Sequence, residues 1–194
     1  MALYFIILAI VSVIVLILGA NSNLLKDPIL DPEGFLKNAT ALNVKDPKPP
    51  FSLARTQLAF WTTIIFSSFL YLLFKYRFEI PELNNVNLIL LGIAVGTTAT
   101  GALIDDTQKN NGNLNQSFPS TNFFADITSD KSGVSIHRLQ NVLWTIVVGI
   151  IYIQFVAAQG SLPDETVITN NLLILMGISS GTYVGVKTME NTKK

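Results

Sequence analysis

Ser52-Leu-Ala-Arg-Thr-Gln-Leu-Ala-Phe-Trp-Thr62 is answered 83 residues later by Ser135-Ile-His-Arg-Leu-Gln-Asn-Val-Leu-Trp-Thr145. Both stretches fit Ser-x-x-Arg-x-Gln-x-x-x-Trp-Thr, and each opens a long apolar run. A second pair follows the same logic. Leu88-Ile-Leu-Leu-Gly-Ile93 returns as Leu173-Ile-Leu-Met-Gly-Ile178, an offset of 85 residues, and each copy leads into Gly-Thr at Gly96-Thr97 and Gly181-Thr182. Two elements recurring in order at nearly one spacing mark a duplicated unit, with two extra residues in the second copy's internal loop. Each unit predicts a hairpin of two apolar helices.

Composition agrees. Of 194 residues, 49% are hydrophobic and 13% are charged. Mean hydropathy is +0.46. Soluble domains carry about 25% charged residues, so this chain falls in the membrane class. A formal net charge of zero gives no basis for nucleic-acid binding by charge alone. There is no cysteine, which excludes disulfides, thiolate metal sites and cysteine nucleophiles. One histidine, His137, is too few for a histidine metal cluster within one chain. No cofactor is implied.

The expected fold is an all-α membrane protein with five transmembrane helices: an N-terminal helix plus two helical hairpins in parallel repeat. Residues 1–20 supply the first helix. Positions 2–20 are uncharged, which is long enough to span about 30 Å of hydrocarbon. A cleaved signal peptide is the rival reading. No Lys or Arg precedes the run, and the run is long for such a segment. Residues 21–50 form a polar loop with five prolines, in which Asp31-Pro32 can start a short helix as N-cap and first position. The first hairpin covers 51–104, with Asp105-Asp106 ending its second helix. The polar stretch 105–134 forms a second loop, where Phe123, Phe124 and Ile127 suggest a short amphipathic turn on the bilayer surface. The second hairpin covers 135–187, and 188–194 form a tail.

Lys and Arg set the expected orientation. Eleven of the thirteen lie in loops 21–55 and 105–138 or in the tail; only Lys75 and Arg77 lie in the opposite links. This predicts an outside N-terminus and a cytoplasmic C-terminus. Both hairpins then enter from the same side, related by an axis near the membrane normal.

The candidate site residues come from the repeat. Gln57 and Gln140 each lie four residues before a tryptophan, Trp61 and Trp144, on one helix face. Their amides serve either as interhelical hydrogen-bond glue or as pore lining. Arg55 and Arg138 end their helices at the basic side. They either snorkel to lipid phosphate or form a ring of guanidinium forks that binds an anion. Gly92-x-x-x-Gly96 and Gly177-x-x-x-Gly181-x-x-x-Gly185 permit close approach of another backbone. Thr97 and Thr182 add hydroxyls there, which a water-filled path would also tolerate. No catalytic motif or metal-ligand cluster is present, so an enzyme is not expected.

Three runs carry a resemblance: Phe51-Ser-Leu-Ala-Arg-Thr-Gln57, then Phe124 to Asp130 with Gly133 to Gln140 and Trp144-Thr145, and Gly177-Ile-Ser-Ser-Gly-Thr182. Together they resemble a widespread group of small bacterial inner-membrane proteins, mostly uncharacterised and often encoded as accessory membrane parts of larger systems. The likeness covers about residues 50–187. In size and layout the chain is also similar to the membrane channel of the Hailong anti-phage system, in which a nucleotidyltransferase makes DNA oligomers that hold a channel closed. The resemblance implies a homo-oligomeric ion channel of the inner membrane. It further implies a defence effector with an anionic nucleotide or oligonucleotide as ligand. The alternatives are a membrane anchor for a cytoplasmic partner protein and, third, a small transporter. Charged residues near the bilayer centre are absent, which argues against ion-coupled transport.

Overall fold

In the computed structural model of this chain, residues 1–110, 118–130 and 133–190 are described. Lys131 and residues 191–194 of the expected tail lie outside them. Four helices are long and apolar enough to cross a membrane: α1 (Ala2–Asn21), α3 (Leu53–Lys75), α4 (Asn85–Asn110, through Thr107) and α6 (Ile136–Gln159). A further helix, α7 (Asn170–Glu190), is not among these four; it packs on α6 and α4. Apart from short ladders, the described chain is all-helical.

Packing follows the chain in a ring. Helix α3 lies on α4, α4 on α7, α7 on α6, and α6 back on α3. Helix α1 lies outside this ring, against α3. It runs antiparallel to α3: Tyr4 near its start is fully buried beside Ser68 and Tyr71, late in α3. The Ser68 hydroxyl donates to the Ile64 carbonyl at 2.8 Å and is 3.1 Å from the Tyr4 hydroxyl. One apolar core joins Tyr4, Trp61, Ile64, Leu72, Leu90, Val148, Tyr152 and Met176.

The connections gather at two ends. At the link end, the Tyr76 hydroxyl donates to the Gly160 carbonyl at 3.0 Å, and the Asn84 amide donates to the Pro163 carbonyl at 2.8 Å. At the loop end, the two polar segments are joined. Helix α2 (Pro32–Ala41) starts as expected, with Asp31 accepting from the Gly34 N–H at 3.0 Å. Lys26 pairs with Phe51, the Ser120 N–H donates to the Lys48 carbonyl at 2.8 Å, and the Phe51 N–H donates to Asp126 at 3.1 Å.

Two expectations are corrected here. Helix α4 does not end at Asp105-Asp106 but continues to Asn110. Asp105 is buried and lines a cavity with Arg55, and the helix runs on past it. The turn at 123–128, α5 (Phe123–Thr128), does not rest its whole apolar face on a membrane surface. Ile127 is buried with Leu53, Ala54 and Tyr183, and Phe123 meets Phe51 edge-on at 5.1 Å; only Phe124 points fully outward. The strands β1 (Ser129–Asp130) and β2 (Gly133–Val134) form a small ladder that leads into α6.

Candidate functional site

The repeated glutamines part company. Gln57 is buried between α3 and α6. Its amide nitrogen donates to Asn141 Oδ1 at 3.0 Å and to Thr145 Oγ1 at 2.6 Å; Thr145 in turn donates to the Asn141 carbonyl at 2.9 Å. Ser180 of α7 reaches Asn141 Oδ1 at 3.5 Å. An amide in an apolar surround must find such partners, so here the side chain holds helices together. Gln140 is exposed on the outside of α6. Trp61 is buried against Phe60 and Tyr152, whereas Trp144 is only half-buried.

A shift in register explains this. The motif repeats at 83 residues, but burial repeats at 84. Gln57, Trp61, Ile64, Ile65, Ser68 and Leu72 are buried on α3; Asn141, Thr145, Val148, Gly149, Tyr152 and Val156, each 84 residues on, are the buried positions of α6. The second pair of helices does the same. Its motif repeats at 85, yet buried Asn87, Leu90, Ala94 and Thr97 correspond at 86 to buried Leu173, Met176, Ser180 and Tyr183. One residue is a turn of about 100° on a helix. The second hairpin therefore presents part of its motif face outward.

The glycine patterns do not make close contacts inside the protomer. A Cβ built at Gly92, Gly96, Gly177, Gly181 or Gly185 meets nothing within 4 Å. The close approach falls instead on Gly149, where a Cβ would run into the Phe60 ring of α3. Gly149 is the one glycine of α6, so it fixes which face of α6 turns to α3. It stands alone in its helix, and spacing gave no sign of it. Gly160, at φ 64°, ends α6 in the left-handed region, and its carbonyl accepts from Lys75 Nζ at 3.2 Å. Thr97 and Thr182 spend their hydroxyl protons on their own helices, donating to Ile93 and Ile178 at 2.7 and 2.9 Å. Thr97 is buried and Thr182 half-buried.

The arginines also differ. Arg55 lines a cavity of about 30 Å³ with Asp27, Ser52, Thr98 and Asp105. Two carboxylates there outnumber one guanidinium, which opposes entry of an anion. The Arg138 guanidinium lies over the Tyr183 ring at 5.2 Å. Thr98 and Tyr183 are equivalent in the motif numbering, so the phenol stands in the second repeat where the first has a small residue and a cavity. His137 is exposed.

These features define an all-helical chain with several helices able to cross a membrane, whose polar groups cluster inside a helix ring. Scans against protein-family models, curated proteins and solved structures return no match.

Proposed function

We propose that the chain is a five-span protein of a bacterial inner membrane that assembles as a homo-oligomer around a pore. The observation that carries this reading is the open face of α4 and α7. A Cβ at Gly92, Gly96, Gly177, Gly181 or Gly185 would meet nothing within 4 Å. Glycines spaced for close helix approach but left open suit a contact with another copy or a narrow aqueous path between copies. Helix α7 is the fifth span. The hairpins are parallel repeats, and the basic loop end lies in the cytoplasm.

The layout likeness to an anti-phage channel extends the proposal to a defence effector gated by an anionic cytoplasmic ligand. Arg55 and Arg138 are the residues proposed to meet it. Binding of that kind is charge-assisted and weakens with salt. A membrane scaffold is the second reading, favoured by one observation. Asp126 takes hydrogen bonds from the Phe51 N–H, the Thr121 N–H and the Ser120 hydroxyl, joining both loops in one ordered platform. A cytoplasmic partner protein could dock on such a platform.

The test is conductance of purified protein in planar bilayers. The chain lacks cysteine, so Gly96→Cys and Gly181→Cys can be treated with a thiol reagent that adds charge. The pore reading expects block by the reagent in both. It also expects Gly181→Leu to keep protomer stability while losing the oligomer. Absence of conductance, with a stable oligomer, favours the scaffold.

A further inference from the structure

Helix α3 is the floor of an apolar groove walled by α1, with Ile153 of α6 at its edge. The groove is open to the outside and offers about 300 Å³, and its lining includes Leu8, Val15, Phe60, Thr63 and Ile153. Leu25 and Phe123 close it at the loop end. From Thr56 to Ile64 it runs about 12 Å along α3 at about 1.5 Å per residue. Half of a bilayer's hydrocarbon is about 15 Å deep. The groove therefore matches most of one leaflet in depth.

Its loop end is polar in a specific way. Thr56 lines the groove, and its hydroxyl oxygen is buried without a hydrogen-bond partner among the described residues. Lys26 directly follows Leu25, with its ammonium 5.8 Å from the Phe51 ring centre. The edge-on pair Phe51–Phe123 lies at the same level, where aromatic residues sit at a membrane boundary. From inside to the boundary the order is apolar wall, hydroxyl donor, cation.

We infer that this groove holds one acyl chain of an anionic glycerophospholipid from the leaflet at the loop end. The chain fills the apolar wall, the ester carbonyl accepts from the Thr56 hydroxyl, and the phosphate faces Lys26. The buried Thr56 hydroxyl and the nearby Lys26 ammonium give the loop end a polarity that an apolar helix of a second copy would not match. Sequence spacing gives no hint of the site, because the motif counterpart of Thr56 is Leu139. The inference needs α1 and α3 in a bilayer and does not depend on a pore.

The experiment uses the full chain in phosphatidylcholine vesicles with a minor share of phosphatidylglycerol bearing a diazirine on its acyl chain. After photolysis, adducts are mapped by mass spectrometry. The expected result is labelling concentrated on the groove stretches of α1 and α3. Ser12→Trp, which fills the groove from the α1 wall, should remove most of it. Lys26→Gln, which leaves the backbone pairing of residue 26 with Phe51 available, should remove the preference for this probe over its phosphatidylcholine analogue. Labelling spread evenly over α1, α3, α4 and α6 would overturn the site. So would crosslinks from the groove to a second copy, or an unchanged headgroup preference in Lys26→Gln. Conductance is not read, so failure of the pore reading leaves this result intact.

Discussion

Helices α3 and α6 carry the same eleven-residue motif, yet one is surrounded and the other is not. Helix α3 touches α1, α4, α5 and α6; α6 has α3, α5 and α7. The extra cover on α3 comes from α1, for which the second repeat has no counterpart. Gly149 supplies the other half of the difference. It seats Phe60 and so turns α6 by one residue, while the motif equivalent on α3 is Phe66, an exposed side chain. The lesson is that a duplicated motif preserves helix starts and apolar content, but not which face is buried. Rotation of a helix about its own axis costs nothing in the local pattern and is decided by its neighbours.

The sharpest break in this comparison is steric. Gly149→Leu should destabilise the protein by about 3 kcal/mol, because the added side chain has only the Phe60 ring and Ile64 to displace. Phe66→Leu, its motif equivalent, should change little. Thermal unfolding in detergent distinguishes them; equal effects would mean that the register shift is not real. The next contrast is polar. Gln57→Leu leaves Asn141 and Thr145 without their donor and should cost about 1 kcal/mol, whereas Gln140→Leu should leave the melting temperature unchanged. A matching loss at Gln140 would place that side chain inside a contact not seen in the protomer.

The smallest effect lies in the return links. Asp164 is held below the usual carboxylate range by the hydroxyl and N–H of Thr166, at 2.5 and 2.9 Å. Its folded value is lower than its unfolded one, so its contribution is present at neutral pH. That contribution is lost as pH falls through the depressed value. Asp164→Asn should remove this acid dependence with little change at pH 7, since the group is fully exposed. The first link has no equivalent turn; there Arg77 and Phe78 adopt positive φ instead. Amide exchange of Thr166 against pH follows the effect.

Much of the architecture was legible in the chain. The uncharged run at 2–20 and the apolar runs of α3, α4 and α6 announced the four helices long and apolar enough to cross a membrane, because a bilayer demands length and hydropathy that short local patterns record directly. Asp31-Pro32 announced α2 because capping is a local matter. The glutamines were legible as polar groups needing partners, but not as one buried and one exposed. The Gly-x-x-x-Gly patterns marked helices suited to close approach, yet their faces are open in the protomer.

What the sequence determined by itself is the content: helices, their order, the alternate gathering of loops and the basic bias of one end. What only the tertiary structure decided is the facing. Asn141 became the partner of Gln57, Arg55 a neighbour of Asp27 and Asp105, and Arg138 a neighbour of Tyr183, because helices choose their rotation by side-chain fit across the interface. That fit depends on residues such as Phe60 and Gly149, which lie 89 positions apart and share no local pattern.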